Sequence, residues 1–380
     1  MNLRDKLKAI EKPKVKVTVT PTQPEAPQPC FTDCWRTETT HTPADYPITR
    51  ETVMLMQGED MPSQFDAERI LFLDTETTGL AGAGTVAFEV GLGWQHGDRF
   101  HVRQLVMRDY PEERFLLEEI VRIAEAFDVV CTFNGKTFDL PLLKNRFIMN
   151  RIRTDCLDKP HIDLLHIARR VWKLRLRRCN LTNLEEALLG VPRVDDLPGA
   201  QVPERFFSYL KTGDFSLLDD VLAHNEQDIL TLQNLLCHMC RMYENPEQLR
   251  FDEDVYSMGV ALERFRHPEE ARRCYRLAGG TMHAASQSRL AQSYRRSGEK
   301  EAAVSVWQGM IRRREGGVTP YVELAKHYEH AEKDYAAALE VVRQAMIRLA
   351  EPTLFEDSAV QEARNALQYR YDRLRRKAGL

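Results

Sequence analysis

"ILFLDTETTGL", residues 70–80, places two carboxylates, Asp74 and Glu76, at the end of an apolar run with only Thr75 between them. The run from Ile70 to Leu73 reads as a buried strand. Side chains of a strand alternate between its faces, so residues i and i+2 project the same way. Both acids therefore point together, and their repulsion calls for a partner from elsewhere in the chain.

The surroundings of this stretch predict an α/β mixed sheet. "VAFEVGLGW" (86–94) and "FHVRQLVMR" (100–108) read as strands, "EERFLLEEIVRIAEAF" (112–127) as an amphipathic helix and "DVVCTFN" (128–134) as a further buried strand, with the rest to 240 mostly helical. This domain is expected over 67–240. Before it, residues 1–66 read as an N-terminal extension with a Pro-rich linker over 13–29, whose stretch "CFTDCWRTETTHTPADYPI" is a candidate to fold back on the domain. After it, 250–380 reads as an all-α domain of tetratricopeptide-like repeats. Tyr294 and Tyr328 recur 34 residues apart in matching helix pairs, and an earlier unit matches through Ala271 and Tyr275.

Two more acidic positions have a defined context. "VVCTFNGKTFDLPLLKNRF" (129–147) runs from a strand through Asn134 into a helix with Asp139 near its start and Pro141 in its first turn, where proline is tolerated. "LLDDVLAHNEQDILTLQNLL" (217–236) is an amphipathic helix whose His224 and Asp228, four apart, share a face. Taken singly, each piece also reads as a strand end, a helix cap or a surface pair. If the four acids converge to about 4 Å, each pair repels by roughly 4 kcal/mol at an effective dielectric of 20. Divalent cations resolve that repulsion. Hard oxygen ligands suit Mg²⁺ or Mn²⁺, and two such ions support phosphodiester hydrolysis, with His224 placed to orient or deprotonate the attacking water.

The set "DTETTGL", "FNGKTFDLP" and "HNEQD" resembles the three motifs of the DEDD exonucleases, the DnaQ-like branch of the ribonuclease H-like fold. With "HIDLLHIARRVWKLRLRRCNLTNLEEALLG" (161–190) and the appended helices, the chain is similar to the YprB family, proteins with a ribonuclease H-like exonuclease domain and tetratricopeptide repeats. The resemblance implies a 3′–5′ exonuclease in which Asp74, Glu76, Asp139 and Asp228 bind two metal ions. It also implies that Thr77 and Thr78 lie beside the terminal nucleotide and that Leu80 wedges against its base. In the wider superfamily the third motif carries His five residues before its Asp or Tyr four before it; here His224 stands at the tyrosine spacing, which leaves open whether it is the base.

"RRVWKLRLRR" (169–178) holds six basic residues in ten, and Arg170, Lys173 and Arg177, with Asn134, are its candidates for nucleic-acid contact. Trp172 is either a stacking platform or a core residue. A net charge of −4 supplies no global attraction to a polyanion, so binding has to come from such a patch or from metal. No apolar run reaches the roughly 18 residues of a membrane span. The start "MNLRDKLKAIEKPKVK" lacks the apolar core of a signal peptide, and a cytoplasmic location is expected. Cys30 with Cys34 and Cys237 with Cys240 have zinc-like spacing, but the second pair falls in a helical pattern that suits small core residues. Two further readings stay open: a catalytically silent nucleic-acid-binding adaptor whose repeats engage protein partners, and a structure-selective endonuclease on the same core.

Overall fold

The strand that carries Asp74 and Glu76 is apolar on both faces because it is covered on both. In the structure, a computed structural model that describes residues 32–79, 84–193, 197–350 and 358–380, it runs Ile70–Thr77 as β2. It lies inside a six-stranded sheet ordered β1-β4-β3-β2-β5-β6, formed by β1 (Trp35–His41), β3 (Ala87–His96), β4 (Arg99–Val106), β5 (Val129–Thr132) and β6 (His161–Asp163). The pairs β1–β4, β4–β3 and β3–β2 are antiparallel, whereas β2–β5 and β5–β6 are parallel. The sheet is therefore mixed, with flanking helices, and a helical region follows it.

Alternation along β2 sorts the core into two layers. Leu71 and Leu73 join Leu116, Leu117 and Ile120 of α2 (Glu113–Ala124) and Leu140 and Leu143 of α3 (Asp139–Met149). Ile70 and Phe72 face the other way, with Trp172 of α4 (Leu164–Leu176) and with Ile229, Leu232 and Leu236 of the long helix Asp219–Glu244. Between these helices come a short one, α5 (Leu181–Leu184), which runs on as a π-helical turn over Glu185–Leu189, and α6 (Val202–Thr212), so the long helix is α7.

The sheet begins earlier than residue 67. β1 lies in the stretch read as an extension and pairs along its whole length with β4, and α1 (Arg50–Gln57) buries Val53 and Met56 in the core beside α7. The Pro-rich linker lies outside the described residues. The helical region is built from antiparallel neighbours: α8 (Asp252–Arg264) with α9 (Pro268–Leu277), α10 (His283–Arg296) with α11 (Lys300–Arg312), α12 (Thr319–His327) with α13 (Tyr335–Ala350), then α14 (Ser358–Lys377). The first pair belongs to the same apolar cluster as the sheet, through Val255, Met258, Leu262 and Tyr275. The later helices gather around a separate core of Ala303, Trp307, Leu324, Ala338 and Leu374. Buried Arg272 staples the two, donating to Ser293 Oγ at 2.9 Å and to Glu299 at 2.7 Å while its guanidinium lies 4.4 Å from the Tyr294 ring.

Candidate active site

β2 outruns its parallel neighbour. β5 pairs only with Ile70, Leu71 and Phe72, so Asp74 and Glu76 lie past its end, at a crevice where the sheet changes from antiparallel to parallel pairing. On the other side β3 continues, setting Gly91 opposite Asp74 and Glu89 opposite Glu76, and the register then shifts at a bulge between Glu76 and Thr77. Glu89 is a buried carboxylate beside the two expected ones. Its Oε1 accepts from Gln104 Nε2 of β4 at 2.9 Å.

α7 crosses this face close to the strands, and Gly91 lets it do so. A Cβ at that position would lie 2.1 Å from Asn225 Oδ1. Asn225, fully buried, donates from Nδ2 to Asp74 Oδ2 at 3.1 Å and so fixes the carboxylate from the helix. On the same helix, one residue before Asn225 and three after it, come His224 and Asp228. His224 Nε2 stands 3.6 Å from Asp228 Oδ2 and 3.9 Å from Glu76 Oε1, and ligand atoms of Glu76, His224 and Asp228 all lie within 4.8 Å of one another. Among the described residues this is the group of that kind that could hold a metal ion.

Asp139 reaches the site from the opposite layer. As the first residue of α3 it comes round the open end of β2 and accepts a hydrogen bond from the hydroxyl of Thr75, whose side chain points away from Asp74. The approach of α3 is set by Asp163, at the end of β6, which accepts from the backbone N–H of Asn134 at 2.9 Å, of Lys136 at 3.1 Å and of Leu165 at 3.1 Å. Asp163 is thus the cap of α4 and a brace for the 134–136 turn.

Burial and like charge dominate the electrostatics. The Asp74 carboxyl is held well above the usual range by burial first, then by Asp228, Asp139, Glu76 and Glu89. Glu89 is likewise raised well above its usual value by burial and by Glu76. Asp139 is pushed up to about 6, chiefly by burial. Asp228 is raised by burial, opposed by Arg193 and His224. Burial and mutual repulsion thus favour the protonated forms of Asp74, Glu89, Asp139 and Asp228.

Arg193 was not legible in the sequence. It follows the π-helical turn, is almost fully buried, and sits between two carboxylates: Nε donates to Glu185 Oε2 at 2.5 Å and Nη2 pairs with Asp228 Oδ1. Its Nη1 is 3.4 Å from His224 Nδ1. Glu185 in turn accepts from Gln227 Nε2 and Thr231 Oγ1 of α7, at 2.5 and 2.7 Å. Glu89, Gln104 and Asn225 were also missed. A lone Glu within the apolar "VAFEVGLGW" was the one visible signal.

The remaining expected residues divide. Thr77 donates to the Gly79 carbonyl at 2.8 Å, and the Thr78 hydroxyl accepts from Val86 N–H at 3.1 Å, so both hold the mouth of the turn after β2. Leu80 lies outside the described residues. Asn134, Lys173 and Arg177 line one open groove, together with Phe133, Arg169 and Arg178. Two of these, Asn134 at φ 69° and Arg177 at φ 62°, adopt left-handed backbone that side chains rarely take. Arg170 is not among them: it bonds the Met56 carbonyl at 3.1 Å and packs 4.7 Å from the Phe265 ring, bracing α1 and α8. Trp172 is fully buried and belongs to the core, and Cys237 and Cys240 are buried in α7.

The sequence model of the RNase_H superfamily matches residues 71–240, the span that contains all four acids. The chain is 32% identical over 290 residues to the Bacillus subtilis (strain 168) protein named "Uncharacterized protein YprB", covering 74% of this chain and 70% of that one. The chain belongs to the YprB family. As a YprB-family protein it has a nuclease-like domain, and ribonuclease H-like nucleases use divalent metals on nucleic acid. Among solved structures, the family B DNA polymerase of Pyrobaculum calidifontis resembles it at a TM-score of 0.36 and 14% identity, over 55% of this chain and 29% of the polymerase. Among the described residues of this YprB relative no helix is long and apolar enough to cross a membrane.

Proposed function

We propose that this YprB-family chain is a metal-dependent 3′–5′ exonuclease that hydrolyses phosphodiester bonds at single-stranded ends. The observation that carries the reading is the Glu76–His224–Asp228 group, with Asp74 and Asp139 beside it, and a groove lined by four cations supports it. The donor set fits Mg²⁺ or Mn²⁺. It is made of carboxylate oxygens on half-buried to buried side chains, the hard donors those ions take. Asp74, Glu76, Asp139 and Asp228 would hold two ions, which when bound supply Lewis acidity for the attacking water and the leaving oxygen.

The chain's own groups do the rest. Asn225 and Thr75 fix Asp74 and Asp139 in place before metal arrives. His224 orients or deprotonates the attacking water, its ring lying against the two carboxylates that would share that water. Lys173, Arg177, Arg169 and Arg178 bind backbone phosphates upstream of the cleaved bond, with Asn134, in the turn that leads into the helix of Asp139, lining the same groove. Thr77, Thr78 and Leu80 border the terminal nucleotide. The helical region, read as tetratricopeptide-like repeats, engages a protein partner.

The test is degradation of 5′-labelled single-stranded DNA and RNA by the purified chain with Mn²⁺, Mg²⁺ or chelator, beside Asp74→Ala. A one-nucleotide ladder that needs metal and is absent with the variant is expected. Internal fragments would favour an endonuclease, and no cleavage together with no Mn²⁺ binding by calorimetry would refute the nuclease reading.

A further inference from the structure

Arg193 is an unusual neighbour for a carboxylate that is to bind metal. A guanidinium is charged at every working pH and donates only, so it and a divalent ion compete for the same Asp228 oxygens. It is not a stray surface arginine. Its side chain is 6% exposed, and the carboxylate that anchors it, Glu185, is completely enclosed, held by Gln227 and Thr231 from the same helix that presents Asp228. Gln227 and Thr231 lie one residue before and three after Asp228, on the flank of α7 turned toward the π-helical turn, while Asp228 and His224 face the strands. The anchor and the contested carboxylate are thus two sides of one helix, and Arg193 spans them.

We infer that Arg193 stands in for a cation at Asp228 and exchanges that carboxylate for the substrate phosphate when a divalent ion arrives. The inference rests on the metal-dependent reading above. Before exchange, the guanidinium neutralises Asp228 and faces His224 Nδ1 with a donor, which occupies the lone pair a base would need. After exchange, Nε stays on Glu185 and the Nη groups are released toward the crevice. A phosphate is the partner whose oxygens match a guanidinium fork. No bond is made or broken by Arg193 itself; it moves charge from the carboxylate to the substrate.

The experiment compares wild type with Arg193→Gln and Arg193→Lys by Mn²⁺ calorimetry on the full chain, with thermal melts in chelator and steady-state kinetics on a single-stranded oligonucleotide. Removal of the competing charge should tighten Mn²⁺ binding by about tenfold in Arg193→Gln, while Arg193→Lys stays within about twofold of wild type. The glutamine variant should nonetheless lose kcat, and lysine should recover part of it. Unchanged or weaker Mn²⁺ binding in Arg193→Gln, with a melt like that of wild type, would overturn the exchange. If both substitutions lower the melt and weaken Mn²⁺ alike, Arg193 is only a brace between the π-helical turn and α7, and the inference fails. Absence of Mn²⁺ binding in wild type as well would refute the metal-dependent reading itself, and the exchange with it.

Discussion

Burial sets the protonation of Asp139. Its unfolded-state value is near 3.8 and its folded value about 6, so between those pH values the folded chain holds a proton that the unfolded chain has released. The stability it contributes is complete below about pH 4 and is lost as the pH rises through 6. Asp139→Asn keeps an oxygen for the Thr75 hydroxyl and cannot ionise. In chelator it should exceed wild type in stability at pH 7 by up to about 3 kcal/mol, the two converging near pH 4. Paired denaturant titrations at the two pH values check this; an equal gap at both would mean that ionisation of Asp139 is not what separates the proteins. The four acids themselves were legible because each sits in a local pattern, a strand end, a helix start or a helix face. Arg193 and Glu185 were not, because their meaning comes from pairing across 35 and 46 residues, to Asp228 and Thr231, which no local period encodes.

At the scale of elements, the site depends on how closely α7 approaches β3. Gly91 and Gly93 lie on the strand face toward that helix, and a Cβ at Gly93 would come within 2.5 Å of Ile229 Cγ2. Gly91→Ala should therefore push Asn225 off Asp74, costing about 1–3 kcal/mol in a thermal or denaturant melt and reducing nuclease activity further than the stability loss explains. Full activity in a stable Gly91→Ala protein would show that the Asn225 contact is dispensable. The central strands were readable because apolar runs and alternation mark them. β1 escaped because its sequence, "WRTETTH", has no apolar face to bury; it is an edge strand held by the ladder to β4 and by polar contacts such as His41 with Glu226. β6, three residues long, is too short to show a period.

For the molecule as a whole, net charge misleads. The chain is acidic overall, yet Lys173, Arg177, Arg169 and Arg178 concentrate positive charge along one groove. The double variant Lys173→Glu with Arg177→Glu should weaken single-strand binding by at least about tenfold and flatten its salt dependence by roughly 0.7 per lost phosphate contact. Fluorescence anisotropy at two salt concentrations measures both, with Arg170→Ala as the contrast. That arginine braces α1 and α8, so its loss should lower the melting temperature and leave the salt slope alone. An unaltered slope in the double variant would place the strand elsewhere.

The first helix pair after the sheet shares the apolar interior of the sheet, while the later helices have their own. The cooperative folding unit is therefore not divided where the strands end. A truncation near residue 250 would strip Val255, Met258, Leu262 and Tyr275 from the layer that supports α4 and α7, leaving a sticky surface where the helix carrying His224 and Asp228 needs a dry one. A cut beyond α9 would keep those four side chains and remove Leu290 of α10 from the same cluster. The seam along which this protein can be dissected, or can lose its tail without losing its chemistry, runs between α9 and α10 and is fastened largely by arginines: Arg272 with its serines, glutamates and Tyr294, and Arg289 and Arg296 of α10 with Glu263 of α8.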